Sequence, residues 1–249
     1  MPEPADFYTG IVAELYRPLR STSPDPEVYA RFVERHGEPA LELGCGDGDP
    51  LLDLRRRGRD VEGVDSSADM LARCRRAAAR AGLDVVLHHQ RMEELDLPRR
   101  YRSIYLAGPT FTLLPDDDAA LRALRRIRAH LAPDGAALVP LFVPVPTPGH
   151  TLGQVREARA EDGARLRFSV VSEERDEGSR TQRALLRYER HTATDSTVVD
   201  RTWTLHWHTP TGFRDLATAA GLRTALVGAT GRPVEDTASS FTALLRPGD

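Results

Sequence analysis

The stretch most able to do chemistry is LELGCGDGDP at residues 41–50. Gly44, Gly46 and Gly48 alternate with Cys45, Asp47 and Asp49, and Glu42 stands just before them. A loop with so little side chain turns tightly and lets a ligand lie directly against its backbone. A dinucleotide-binding fingerprint would space its glycines G-x-G-x-x-G. Here the spacing is G-x-G-x-G, and Asp49 follows at the start of the next helix. Asp49 alone would serve as a helix N-cap. Together with Glu42 and the loop acid, it disfavours a pyrophosphate and favours a ligand carrying positive charge. About 20 residues further on, DVEGVDSS places Asp65 at the end of a second apolar segment. A carboxylate there can accept from both hydroxyls of a ribose.

Such residues need a frame that brings them together, and the hydrophobic pattern supplies one. Residues 1–37 read as a helical cap, with IVAELYRPL and PEVYARFVERHG at helical spacing. From residue 38 strand and helix alternate. PALELG, DVEGVD, LDVVLHH, SIYLAG and AALVPLFVP read as strands. PLLDLRRRG, SADMLARCRRAAARAG and DDDAALRALRRIRAHLAPDG read as the intervening helices, with Ser67 and Gly82 as caps of the second. Alternation of this kind predicts right-handed crossovers and a parallel sheet covered on both faces. Residues 151–208 change register. RLRFSVVSEE, TQRALLRYER and VVDRTWTLHWH alternate apolar and polar residues at period two, which reads as an antiparallel meander. Residues 209–249 return to one helix, with Thr209 as N-cap and Pro210 in its first turn, followed by two strands. The expected fold is therefore α/β: a doubly wound, mostly parallel, seven-stranded sheet in a cofactor-binding core at 38–150 and 209–249. An antiparallel β insertion at 151–208 follows the fifth strand.

An acid-preceded G-x-G-x-G loop with an acid at the second strand end resembles the class I S-adenosylmethionine-dependent methyltransferases. ELGCGDG, GVDSSADML, RMEEL and PDGAALV carry the resemblance, in order, over about residues 38–143. The layout is similar to that of small-molecule methyltransferases, including those that methylate sugar amines in natural-product pathways. The resemblance implies S-adenosylmethionine as cofactor and S-adenosylhomocysteine as product. It implies that Gly44, Gly46 and Gly48 floor the methionine part, with Glu42 shaping the loop. It gives the ribose to Asp65, the adenosine pocket to Ser66 and Met70, and the adenine flanks to Met92 and Glu93. Ala107 and Gly108 would lie near the sulfonium. One departure is Arg91, where the family often has an acid; a guanidinium cannot accept from an adenine amino group. In the N-terminal segment Tyr8, Tyr16 and Arg17 either fold over the cofactor, with Arg17 on the methionine carboxylate, or form a surface helix with aromatic anchors.

Transfer from a sulfonium to a small-molecule acceptor is an in-line displacement. An amine acceptor needs no strong base, and a hydroxyl does. The candidate bases are His206, His208, His150 and Glu189, none with a distinctive setting. In TWTLHWH the alternation puts Trp203, Leu205 and Trp207 on one strand face and the two histidines on the other, where they either face solvent or act. Two histidines two residues apart also have the spacing of a metal pair. No third ligand is identifiable, so no metal is expected. The fourth-strand loop AGPTFTLLPDD lacks the Asn/Asp-Pro-Pro-Tyr pattern of amide and adenine N-methylation.

Composition narrows the partners. The chain has 249 residues and a net charge of −3, with its 34 non-histidine basic residues all arginine. That balance gives no electrostatic footprint for nucleic acid. Cys45 and Cys74 form neither a disulfide framework nor a zinc pattern. No stretch reaches the roughly 18 apolar residues of a membrane span. The acidic N-terminus does not resemble a signal peptide, so the cytoplasm is expected, with a homodimer possible through the meander. Two other readings remain: an enzyme of the same fold that binds the cofactor without moving its methyl, and a non-catalytic binding protein.

Overall fold

The computed structural model describes residues 7–20, 23–160, 162–228 and 234–248. The N-terminal residues on which the signal-peptide reading rests lie largely outside that range. The core sheet has seven strands: β1 (Ala40–Leu43), β2 (Val61–Asp65), β3 (Leu87–His89), β4 (Tyr101–Tyr105), β5 (Leu131–Phe142), β10 (Leu222–Val227) and β11 (Ser240–Pro247). Their order is β10-β11-β5-β4-β1-β2-β3, and β11 runs antiparallel to both of its neighbours. The order reverses between β1 and β4, so the loops leaving these strands open a crevice at their carboxyl ends.

Among the described residues six α-helices accompany the sheets: α1 (Ile11–Leu19), α2 (Pro26–His36), α3 (Leu51–Arg56), α4 (Ala68–Arg80), α5 (Asp117–His130) and α6 (Pro210–Ala219). Their starts follow from short polar side chains. Asp25, Ser67, Asp116 and Thr209 each accept from a backbone N–H of the first turn. One sheet face packs Leu41, Leu43 and Ile104 against Leu124 and Ile127 of α5 and Phe213 of α6. The other face packs Tyr105 with Tyr29 and Val33 of α2, Leu51 of α3, and Leu71 and Cys74 of α4. Each such side chain taken fully out of water contributes about 1.5–3 kcal/mol before entropy is charged against it.

The structure corrects the expected helix over residues 116–135. It stops at His130, and Leu131 already belongs to β5. Ala132 precedes Pro133, which disfavours helical geometry there. The register then shifts, because Tyr101 pairs Leu131 whereas Ser103 pairs Ala136.

The second sheet is antiparallel with order β6-β7-β8-β9: β6 (Arg156–Arg159), β7 (Arg165–Asp176), β8 (Thr181–His191) and β9 (Ser196–His206). It has one more strand than the expected meander. The strand missed, REAR, is largely exposed and shows no apolar alternation. Helix α1 packs on this sheet rather than on the core, with Val12 and Leu15 buried against Leu166, Leu186 and Tyr188.

Candidate active site

The glycine loop leaves β1 at the crevice. Gly44 and Cys45 both donate to the Val64 carbonyl, at 2.8 and 2.9 Å. The Gly46 N–H donates to Asp65 Oδ2 at 2.7 Å, and the Ser67 N–H to Oδ1 at 2.8 Å. Asp65 therefore ties the loop to the end of β2, and each oxygen keeps a lone pair for a ligand. Burial raises its pKa above the ordinary range, against the two backbone donors. Gly44 and Gly46 have φ of 70° and 53°, which side-chained residues rarely adopt. A Cβ at Gly44 would come within 2.6 Å of Thr110 Cγ2, and one at Gly46 within 3.3 Å of Met70 Cε.

Around the loop lies a cleft of about 1170 Å³ counted to its open mouth. Of the residues expected at the cofactor, Tyr8, Tyr16, Gly44, Gly46, Asp65, Ser66, Met70, Met92, Glu93 and Ala107 line this cleft. Arg91 and Gln90 also line it. Four expected residues stand elsewhere. Gly48 packs beneath the loop, where a Cβ would sit 2.8 Å from both Cys74 Sγ and Leu52 Cγ. Gly108, with φ of 97°, turns the chain between Ala107 and Pro109, which do line the cleft. Glu42 is fully buried below the loop; the Tyr105 hydroxyl donates to its Oε2 at 3.0 Å, and its Oε1 has no partner. Burial, countered by that hydroxyl and reinforced by Asp49, Asp65 and Asp47, pushes its carboxyl well above the usual range.

Arg17 is the fourth. Its Nε lies 2.8 Å from Asp47 Oδ2, so it answers a loop acid rather than offering itself to a ligand carboxylate. One helical turn on, Arg20 pairs with Asp49 at 2.5 Å. Asp49 thus pairs with α1 instead of capping α3, whose N-cap is Pro50. Helix α1 is further fixed over the site by Ser67 Oγ, which donates to the Tyr8 carbonyl at 2.5 Å, and by the Gly10 N–H, which donates to Asp69 Oδ2 at 2.7 Å. Tyr8 and Tyr16 meet edge to face at 5.5 Å.

The rest of the cleft wall comes from the loop after β4 (Pro109, Thr110 and Leu113), the end of β5 (Phe142) and β9 (Trp203 and Leu205). Sequence reasoning singled out none of these as site residues. Alternation on β9 did place Trp203 and Leu205 on one face, but which object that face covers depends on where the insertion folds back. A second, apolar space opens beside the cleft between α1 and the insertion, sharing Tyr8, Tyr16 and Trp203.

The candidate bases do not enter the cleft. His150 is exposed. Glu189 is held by Arg167 at 2.9 Å and by His191 at 2.8 Å on the insertion sheet. His206 and His208 do not face solvent; both are buried, and they turn toward α5. His206 Nε2 lies 2.9 Å from Asp117 Oδ1, and His208 Nδ1 lies 3.4 Å from the same oxygen. Burial, then the neighbouring His206 ring, lowers the pKa of His208 to about 3, so its ring is neutral. The third group that spacing could not reveal is therefore Asp117, 89 residues before His206.

A family model described as a methyltransferase domain matches residues 40–135. The chain is 32% identical over 176 residues to dTDP-3-amino-3,6-dideoxy-alpha-D-glucopyranose N,N-dimethyltransferase of Streptomyces fradiae, covering 67% of this chain and 68% of the relative. Among solved structures, the CcbJ methyltransferase of Streptomyces caelestis is similar with a TM-score of 0.76 at 23% identity, covering 98% of this chain and 99% of that one. An amino pentose methyltransferase of Micromonospora echinaspora, solved with S-adenosylmethionine bound, is similar with a TM-score of 0.67 at 23% identity, covering 96% and 98%.

Proposed function

From the premise that the chain belongs to the class I S-adenosylmethionine-dependent methyltransferases of small molecules, we propose that its acceptor atom is the nitrogen of an amino sugar or similar small amine. The observation that carries this reading is the composition of the cleft. Its described lining residues include no histidine, and the tyrosines are poor bases. Burial raises the phenol of Tyr8, and burial also raises that of Tyr16 against the pull of Arg20. The carboxylates of Asp47 and Asp49 are engaged by Arg17 and Arg20. The two remaining carboxylates, Asp65 and Glu93, are assigned to the ribose and adenine of the cofactor, so a hydroxyl acceptor would lack a base, whereas an amine becomes nucleophilic by losing its own proton to water. The name of the Streptomyces fradiae relative, an amino-sugar N,N-dimethyltransferase, supports the same acceptor class.

The cofactor supplies a methyl group already activated on a sulfonium. Gly44 and Gly46 would leave room for it against the backbone, Asp65 would accept from its ribose, and Ser66, Met70, Met92 and Glu93 would hold its base. With Asp47 and Asp49 paired to arginines, Asp65 is the acid at the loop that would favour the cofactor's positive charge. What remains for the protein is alignment and exclusion of water. Helix α1 and β9 close the cleft, with Tyr8, Tyr16 and Trp203 as the aromatic surfaces between which a cationic amine would settle.

The pH dependence of kcat/KM tests this reading. With an amino sugar as acceptor, the rate should rise with pH along a single limb set by the acceptor's own amine. It should shift when an amine of different pKa is used. A limb near pH 6–7 that stays fixed while acceptors change would reveal a protein base and overturn the proposal.

A further inference from the structure

Asp117 opens α5, His206 ends β9 and His208 stands two residues beyond it, so their cluster joins the insertion to a helix of the core. The donor atoms, one from each side chain, lie within 4.8 Å of one another. Both ring nitrogens converge on one oxygen, Asp117 Oδ1, at 2.9 and 3.4 Å. Two donors each about 2.1 Å from a shared ion are separated by about 3.0 Å at a right angle and about 3.4 Å at the tetrahedral angle. The two nitrogen-to-oxygen separations lie close to that range, and the two ring nitrogens lie within 4.8 Å of each other. The histidine side chains are 4% and 1% exposed, whereas Asp117 is 46% exposed, so the rings are shielded and water reaches the position from the carboxylate side. On their far sides His206 Nδ1 and His208 Nε2 are buried with no hydrogen-bond partner, so no hydrogen bond there orients either ring. Arg180 occupies the other carboxylate oxygen, which leaves Oδ1 as the single oxygen turned to the rings.

We propose that Asp117, His206 and His208 bind one divalent transition ion of the zinc type and that the ion staples the insertion to the core. Two imidazoles and one carboxylate suit zinc and its neighbours better than magnesium or calcium, which take oxygen donors. None of the three residues lines the cleft, so the role is structural and is independent of the methyl-transfer reading. By fixing the end of β9 on α5, the ion holds Leu205 and Trp203 against the cleft. Three protein donors leave one position for water, so affinity is lower than at a four-ligand structural site.

The test uses the full chain, stripped with a chelator and titrated with Co²⁺ as spectroscopic probe and Zn²⁺ as competitor. The expected result is one Co²⁺ per chain, with visible bands of a four- or five-coordinate ion that Zn²⁺ abolishes. No thiolate charge-transfer band should appear, which sets Cys45 and Cys74 aside. Asp117→Asn and His208→Gln should each weaken binding at least tenfold, while His150→Gln leaves it unchanged. Zn²⁺ should raise the unfolding midpoint of the parent and not of Asp117→Asn. Failure of the folded parent to take up Co²⁺ would overturn the proposal without reference to any variant. So would uptake that survives both substitutions.

Discussion

At the residue scale the account turns on which side chains meet a ligand and which only shape the loop. Asp65 holds two backbone donors and has two further lone pairs facing the cleft. Asp65→Ala should weaken S-adenosylmethionine binding by about 1.5–3 kcal/mol, the loss of charge-assisted hydrogen bonds; calorimetry measures it directly. Because burial raises the folded pKa of Asp65, the carboxylate is lost on acidification at a higher pH than an ordinary aspartate. Affinity should therefore fall as pH drops through that raised value, and Asp65→Asn should flatten the dependence. Gly48 makes the opposite case. At φ of 96°, with Cys74 and Leu52 beneath it, Gly48→Ala strains the backbone and overpacks the core. It should cost about 1–3 kcal/mol in denaturant unfolding. Loss of cofactor affinity with unchanged stability would return Gly48 to the ligand-contacting set.

At the element scale the glycine loop and the second strand were legible from sequence because each is written in a few adjacent residues. The Asp65 to Gly46 contact follows once β1 and β2 are recognised as parallel neighbours. Elements whose role depends on distant partners were not legible. Helix α1 shows its apolar stripe plainly, yet nothing local says that the stripe meets β8 rather than the core. The histidines of TWTLHWH read as solvent-facing because Asp117 enters from α5, and alternation reports only which face, not what covers it. Arg17 pairs through Nε with Asp47, a partner that its place in α1 does not announce. The packing of α1 is itself testable. Leu15 is fully buried among Leu166, Leu186 and Tyr188. Leu15→Ala should destabilise the protein by about 2–5 kcal/mol in denaturant unfolding. A change below about 0.5 kcal/mol would mean that α1 does not stay on the insertion in solution.

At the scale of the whole molecule, two sheets share one task. The core sheet reverses order between β1 and β4 and so opens a crevice; the insertion and α1 roof it. No helix among the described residues is long and apolar enough to cross a membrane. The seven strands and their mostly parallel arrangement were legible, because alternating strands and helices admit few arrangements, whereas the strand order and the antiparallel run of β11 come from the pairing itself. The stop of α5 at His130 and the polar strand β6 were not, the first decided by Pro133 and the second by pairing alone. The central claim, a proposal, is that this cleft, with no histidine among its described lining residues, moves a methyl group from S-adenosylmethionine to nitrogen. The most direct measurement offers methyl-labelled S-adenosylmethionine and a matched pair of sugars that differ only in bearing an amino group or a hydroxyl at one carbon. The account predicts label on the amine, stoichiometric formation of S-adenosylhomocysteine, and no label on the hydroxy partner. Label on the hydroxyl, or tight cofactor binding with no transfer to any amine, would contradict it.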